Sequence, residues 1–362
     1  MLHAALRAGT DGLTQFTRPD LPLTDRFPVA AVDVPLPPGP RGAALAEVAA
    51  LEALAESGLA PAALGLAVGS CTGGMRGSEA RYLTHGPEHR DRRYLDHPVG
   101  RLAERLQRRL GLGGTSTTHS EACASAACAI AEAMEWIRAG LVPAMLVVGV
   151  DPLTRLTLAG FASLQVIDPI GCRPFTEQRA GMSLGEGAVA FVLEDASFAR
   201  ARGARPIASL LGWGVQAEGH HGTAPEPSGR WLAKAITAAL ADAQVQAIEI
   251  GCVIAHGTGT RDNDACEAQA LSGVFGRVPV SSVKRTVGHT MGAAAAFNLA
   301  AACWAVRDDH LIASAGGDGD IIAGLDLVRA ARPAAVELAV ATSLAFGGVD
   351  AALVIGKAER CL

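Results

Sequence analysis

Apolar residues fall into two patterns along this chain, short unbroken runs and longer Ala-rich stretches with helical spacing. The runs Leu64 to Gly69, Ala144 to Val150, Ala188 to Leu193, Val278 to Lys284, Glu337 to Leu344 and Val349 to Ile355 predict strands covered on both faces. Ala43 to Ser57 predicts a helix that Gly58 closes. Between Gly114 and Gly140 the pattern changes within a few residues: Thr115 to Ser120 is β-rich, an abrupt turn follows, and Cys123 starts an Ala-rich helix. Positions 123, 127, 130, 134 and 137 (Cys, Ala, Ile, Met, Ile) recur at spacings of four and three, which puts Cys123 at the head of one buried helix face.

The second half repeats this arrangement. Val278 to Lys284 predicts a strand, Arg285 to Thr290 a turn and Met291 to Val306 an Ala-rich helix, with His289 where Cys123 stands in the first half. A third strand-to-turn junction ends at His256, ahead of a helix that opens with the capping pair Asp264 and Glu267. A fourth ends in the loop Ala345-Phe346-Gly347-Gly348. Internal similarity of this kind predicts two halves related by a pseudo-two-fold, divided as 1–205 and 206–362 and linked near residues 197–206. Ligands in α/β sheets gather beyond the carboxyl ends of strands, so Cys123, His256, His289 and Phe346 are the candidate rim residues. Residues 1–40 are Pro-rich and loop-like after a brief helical start, and 75–99 are charged without periodicity, which predicts a surface excursion.

Composition sharpens this picture. Of 362 residues 49% are hydrophobic but only 4% aromatic, so Ala, Val, Leu and Ile must fill the interior of a layered α/β protein. A net charge of −5 argues against a general nucleic-acid binder. The basic cluster Arg101 to Arg109 reads as a solvated helix face or a dock for an acidic partner. Eight cysteines without C-x-x-C or clustered His/Cys spacing predict neither a metal site nor a disulfide framework. With no apolar leader and no run long enough to span a bilayer, the expected location is the cytoplasm.

A thiol at the first turn of a buried helix meets unpaired N–H groups and the positive end of the macrodipole, which favour thiolate; alternatively Cys123 is a small core residue. Each histidine alone reads equally as a core residue satisfied by backbone. Glu186, between Gly185 and Gly187, suits an acceptor for buried N–H groups better than a catalytic role. Lys284 could simply pair with an acid, and Phe346 could be packing.

Taken together, Glu-Ala-Cys123-Ala-Ser, Cys-Arg-Pro-Phe175 with Leu-Gly-Glu186-Gly-Ala, Thr-Ala-Pro-Glu-Pro-Ser-Gly229, Ala-His256-Gly-Thr-Gly-Thr with Asn-Asp264-x-x-Glu267, Ser-Ser-Val-Lys284-x-x-x-Gly-His289 and Ser-Leu-Ala-Phe346-Gly-Gly resemble the β-ketoacyl-acyl-carrier-protein synthases of the thiolase superfamily. The resemblance covers roughly residues 40 to 356 in the family's order. It implies a thiolase fold, five αβαβα layers, and a dimer. It implies that Cys123 is the acyl-accepting nucleophile, His256 and His289 the histidine pair, Lys284 the lysine that holds the second histidine region and Glu186 a buried structural acid. Thr258 and Thr260 match threonines that contact the carrier's pantetheine arm. Phe346 matches a gating phenylalanine, and its loop, with Gly347, joins the Cys123 N–H in an oxyanion hole.

The implied reaction is decarboxylative condensation of acyl-enzyme with malonyl-acyl-carrier protein, in fatty-acid, polyene or polyketide-type synthesis. It requires acyl carrier protein as partner, in a homodimer or a heterodimer with a related subunit, and neither a metal nor a cofactor. Departures are Ile254, Ala180, Asn298, Thr342 and Asp350 where the family has Asn, Asp, Glu, Asn and Asn, and the lack of the usual opening strand. They suggest a specialised synthase. The alternatives are a non-catalytic, chain-length-factor-like partner subunit, against which Cys123 and both histidines argue, and a biosynthetic thiolase, which pairs its cysteine with one histidine and a second cysteine.

Overall fold

Strands that are apolar on both faces must be covered on both faces, and this sets the layering. The computed structural model describes residues 2–18, 20–316, 319–322 and 324–361. One sheet has the order Ser116–His119, Gly65–Gly69, Ala144–Asp151, Gly187–Glu194, with the first three strands parallel and the last antiparallel. The other runs Ser209–Ala217, Val349–Gly356, Leu338–Ala345, Cys252–Ile254, Pro279–Ser281, Asp326–Leu327. Within it, Pro279–Ser281, Cys252–Ile254 and Leu338–Ala345 are parallel and Val349–Gly356 antiparallel, which repeats the first sheet's directions strand for strand. The two halves are therefore related by a pseudo-two-fold.

Alternate residues of each strand enter different layers. Met145 and Val147 face the centre while Leu146 and Val148 face outward; Ala339 and Ala341 face the centre while Leu338 and Val340 face outward. The helices Ser125–Arg138 and Ala294–Asp308 fill the central layer. Arg41–Ser57 and Gly100–Leu110 cover the first sheet outside, and Arg230–Asp242 and Arg261–Phe275 cover the second. Helix, sheet, helix, sheet, helix is the five-layer thiolase fold. The alanines let the central layer close up: a Cβ on the strand residue Gly149 would lie 2.7 Å from Ala296 Cβ and 3.0 Å from Ala126 Cβ, so only glycine fits where this strand meets the two central helices.

Several local expectations change. Met75–His85 is a helix, half-buried at its start and exposed toward its end, where a surface excursion without periodicity is expected. Cys123 lies not in the α-helix but in a 3-10 turn, Ala122–Ala124, that precedes it. The helix Ala294–Asp308 is preceded by a matching turn, Met291–Ala293. Both turns open on a residue forced to positive φ, Ala122 at 46° and Met291 at 51°, so the counterpart of Cys123 is Gly292 and not His289. His289 instead occupies the approach to the turn.

Residues before Gly42 are ordered by backbone pairing. Thr14 and Val29 exchange two bonds of 2.9 Å, and Ala30 bonds to Leu184 and Glu186 at 3.0 Å. Glu186 completes this anchorage. Its fully buried carboxylate accepts from the Val32 and Leu153 N–H groups and from the Arg41 and Arg76 guanidinium groups. Glu186→Gln takes the counter-charge from Arg41 and leaves Arg76 with Asp20 alone, and the expected cost is about 3 kcal/mol of stability, read as a lower urea unfolding midpoint.

Candidate active site

The Ala122–Ala124 turn is fixed from three sides. The Ala122 carbonyl accepts from Cys71 Sγ at 2.9 Å and Ser125 Oγ at 2.6 Å, and the Cys123 carbonyl accepts from Ser343 Oγ at 2.9 Å. Asp151, buried at a strand end, takes the N–H groups of Cys71, Thr72 and Gly292 and the hydroxyls of Ser70 and Thr72, all between 2.7 and 2.9 Å. One carboxyl thus ties the loop below Cys123 to the second central helix turn.

The Cys123 side chain is buried, with the backbone N–H groups of Phe346 and of Cys123 itself near the sulfur. These amides and the charge of Lys284 favour thiolate, but burial outweighs them and pushes the thiol up to about 12. The helix start therefore does not give a resting thiolate, contrary to the expectation from its position. Cys123 rests as a thiol beside two backbone N–H groups that favour its ionised form.

His256 follows the strand Cys252–Ile254, and its loop hangs from two acids. Glu267 accepts the His256 and Gly257 N–H groups at 2.8 Å and the Thr342 hydroxyl at 2.6 Å. Asp264 accepts the Phe175 N–H at 2.7 Å, the Gly259 N–H at 3.1 Å and the Asn263 amide at 3.0 Å. The pair expected to cap its own helix reaches back over the 256–260 loop, and the helix starts earlier, at Arg261, with no side-chain cap.

The His289 N–H donates to the Ser183 carbonyl at 2.7 Å, and its Nδ1 accepts the Met291 N–H at 3.2 Å. Accepting there puts the ring proton on Nε2. The two imidazoles meet edge to face with centroids 5.1 Å apart. Burial lowers His289 to about 3 and His256 well below its ordinary value, so both are neutral at physiological pH.

Cys123, His256 and His289 each present one atom within a cluster no wider than 4.8 Å. They share the wall of a cavity of about 410 Å³ with Thr258, Thr260 and Phe346. The Thr258 and Thr260 hydroxyls bond to each other at 2.9 Å, and the Phe346 ring stacks on Phe161 at 5.5 Å. Three other expected residues lie off this wall. Glu186 is the anchorage described above. Gly347 spends its N–H on the Gly222 carbonyl at 2.9 Å. Lys284 begins the short helix Lys284–Val287 instead of ending a strand; its Nζ lies 3.5 Å from Asn298 Oδ1, and burial lowers it to about 8.

The wall also carries residues that the motifs do not single out as site residues, among them Phe161, Met182, Glu218, His221 and Asp350. Glu218 lies just ahead of the Thr-Ala-Pro motif, and that adjacency is the one sequence signal for it. A thiol and two imidazoles this close also have the composition of a zinc ligand set. The backbone N–H groups of Cys123 and Phe346 favour negative charge at the sulfur, which also suits an oxyanion next to it.

Family models for the β-ketoacyl synthase N-terminal and C-terminal domains match residues 41–199 and 207–318. The ketoacyl synthase alpha subunit of tetracenomycin polyketide synthase from Streptomyces glaucescens is 33% identical over 88% of this chain and 82% of its own. The 3-oxoacyl-[acyl-carrier-protein] synthase 2 of Staphylococcus aureus is 31% identical over 82% of this chain and 75% of its own. The solved ishigamide ketosynthase/chain length factor superposes with a TM-score of 0.91 at 31% identity, covering 98% of this chain and 94% of that one.

A resting thiol this weakly acidic has a measurable signature. Alkylation of Cys123 by iodoacetamide, followed on its own peptide by mass spectrometry, is expected to speed up about tenfold per pH unit from pH 7 to 9. A rate that levels off below pH 8 would mean that the turn does supply a thiolate.

Proposed function

The chain belongs to the β-ketoacyl synthase family, and from that premise we propose that it is a catalytically active condensing acyltransferase. Cys123 takes an acyl group from an acyl carrier protein, and malonyl-acyl-carrier protein then extends it by decarboxylative condensation to a 3-oxoacyl-acyl-carrier protein. The observation that carries this reading is the meeting of one thiol and two neutral imidazoles on a single cavity wall.

In the first step the Cys123 sulfur attacks the thioester carbonyl, the C–S bond to the carrier breaks, and the proton lost by one thiol ends on the other. The exchange is proton-neutral overall, so a thiol poised near 12 needs to ionise only transiently. The tetrahedral oxyanion is held by the N–H groups of Cys123 and Phe346. In the second step carbon dioxide leaves the malonyl group and negative charge moves to its thioester oxygen. His289 Nε2–H and a nitrogen of His256 donate to that oxygen; the His256 Nδ1, buried without a partner, is a polar atom whose bond a ligand can complete. Neutral donors suit this task, because a carboxylate at that point would oppose the developing charge. The resulting carbanion attacks the acyl carbonyl, and the Cys123 thiolate leaves and is reprotonated.

In this reading Thr258 and Thr260 bond the carrier's pantetheine arm, and Phe346 gates the acyl chain. Lys284 acts from behind the wall by holding the histidine region. The halves 1–205 and 206–362 contribute the nucleophile and the histidines respectively. We further infer a dimer with itself or with a related subunit, and a polyketide- or polyene-type chain, which the tetracenomycin relative supports. Among the described residues no helix is long and apolar enough to cross a membrane, and we place the reaction in the cytoplasm. Similarity to a ketosynthase/chain length factor structure favours a second reading, a non-catalytic partner subunit. Retention of Cys123, His256 and His289 argues for the first.

Mass spectrometry after incubation with acyl-acyl-carrier protein is expected to find the acyl group on Cys123 and to find none in Cys123→Ala. His256→Ala is expected to keep the acyl adduct but condense about 100- to 1,000-fold more slowly, as on loss of one oxyanion donor. A wild-type protein that never becomes acylated would leave the partner-subunit reading standing.

A further inference from the structure

Two acids face the same cavity as the sulfur and imidazoles. Glu218 follows the strand Ser209–Ala217, and Asp350 lies in the adjoining Val349–Gly356. They are 8% and 1% exposed and both line the cavity. The Asp350 carboxyl lies within hydrogen-bonding reach of Glu218, and its Oδ2 is buried without a partner. Two carboxyl groups can bond each other only through a proton.

Arg261, Asp262 and His221 share the cavity wall, yet no positive charge is among the influences on Asp350. The charges acting on Asp350 are those of Glu218 and Glu267, both negative. On the helix Arg261–Phe275, Cys266 is an un-ionised thiol pushed up to about 12 by burial, and Glu267 is occupied by the three bonds described above. On the loop after Glu218, His221 Nδ1 accepts the Thr223 and Ala224 N–H groups. Glu226 gives its N–H to Glu218 Oε2 at 3.0 Å and pairs through its own carboxylate with Arg230 at 3.3 Å. The turn 345–348 has no ionisable side chain.

The pair spans a seam between that loop and that turn. Across it the Glu218 N–H donates to the Gly348 carbonyl at 2.7 Å, and the Gly347 N–H to the Gly222 carbonyl at 2.9 Å. Gly348 has φ +77°, and a Cβ there would lie 3.0 Å from Glu218 Cβ, so the turn rests directly on the acid. The same turn carries Phe346, whose amide reaches the Cys123 sulfur.

We propose that one proton shared by Glu218 and Asp350 latches the 345–348 turn to the 218–226 loop over Cys123, and that loss of this proton releases the turn. With both acids ionised, like charges meet in a buried wall and only backbone bonds hold the seam. Burial and the neighbouring Glu218 raise Asp350 to about 8, which puts release just above physiological pH. Glu218 and Asp350 are positioning residues, since neither touches the reacting atoms. For its effect on turnover the inference rests on the condensation reading; the latch itself does not.

Asp350→Asn and Glu218→Gln keep the shape and supply a donor at every pH. Hydrogen–deuterium exchange of the 344–350 segment in the whole protein, corrected for the intrinsic effect of pH, is expected to lose about tenfold of its protection between pH 7.5 and 9.5 in the wild type and little in either variant. Equal losses in all three proteins would overturn the latch, whether or not the protein condenses anything.

Stability gives an independent reading. A carboxyl whose folded pKa is raised contributes stability that is full below its unfolded pKa and lost as pH rises to the folded value. The melting temperature of Asp350→Asn relative to wild type should therefore climb from pH 5 to about pH 8 and then level off. A constant offset would count against the shared proton. If exchange follows the latch but Cys123 takes no acyl group, the condensation reading fails and the latch stands.

Discussion

Buried carboxyl groups that never touch the reacting atoms hold this site together. Asp151, Glu186, Asp264 and Glu267 each sit in the interior and take backbone N–H groups from the loops around them. Loops beyond strand ends cannot satisfy their own amides, and burying them unpaired costs about 1–3 kcal/mol for each group. An acid with four acceptor positions resolves several at once. It also joins segments that are distant in the chain: Asp151 links residues 70–72 to Gly292, and Glu267 links 256–257 to Thr342.

The centre that these acids frame is kept uncharged. The thiol stands near 12 and both imidazoles are neutral, while the ammonium of Lys284 lies behind the wall. What remains at the centre is a set of N–H dipoles from Cys123, Phe346 and His289. In the condensation proposed above, such dipoles act only where charge appears, which is the condition for stabilising a transition state more than a ground state.

Much of this was legible in the sequence, for identifiable reasons. Runs such as Ala144 to Val150 are apolar on both faces and allow hardly any reading other than a buried strand, and the Ala-rich helices carry their own period. The convergence of Cys123, His256 and His289 was accessible because each lies at a strand-to-turn junction and such junctions share one rim. The thiol's acidity was not: position at a helix start is local, whereas burial is set by segments that close over the sulfur from the 345–348 turn. The same holds for Asp264 and Glu267, whose spacing fits a capping pair while tertiary contacts turn them elsewhere. Glu218 and Asp350 meet only through strand pairing, which no local pattern encodes.

Gly149 has a role out of proportion to its size. It lies on the strand Ala144–Asp151 against Ala126 of one central helix and Ala296 of the other. A methyl group there would press on both helices at once, so the closeness of the middle layer to this strand depends on an atom that is absent.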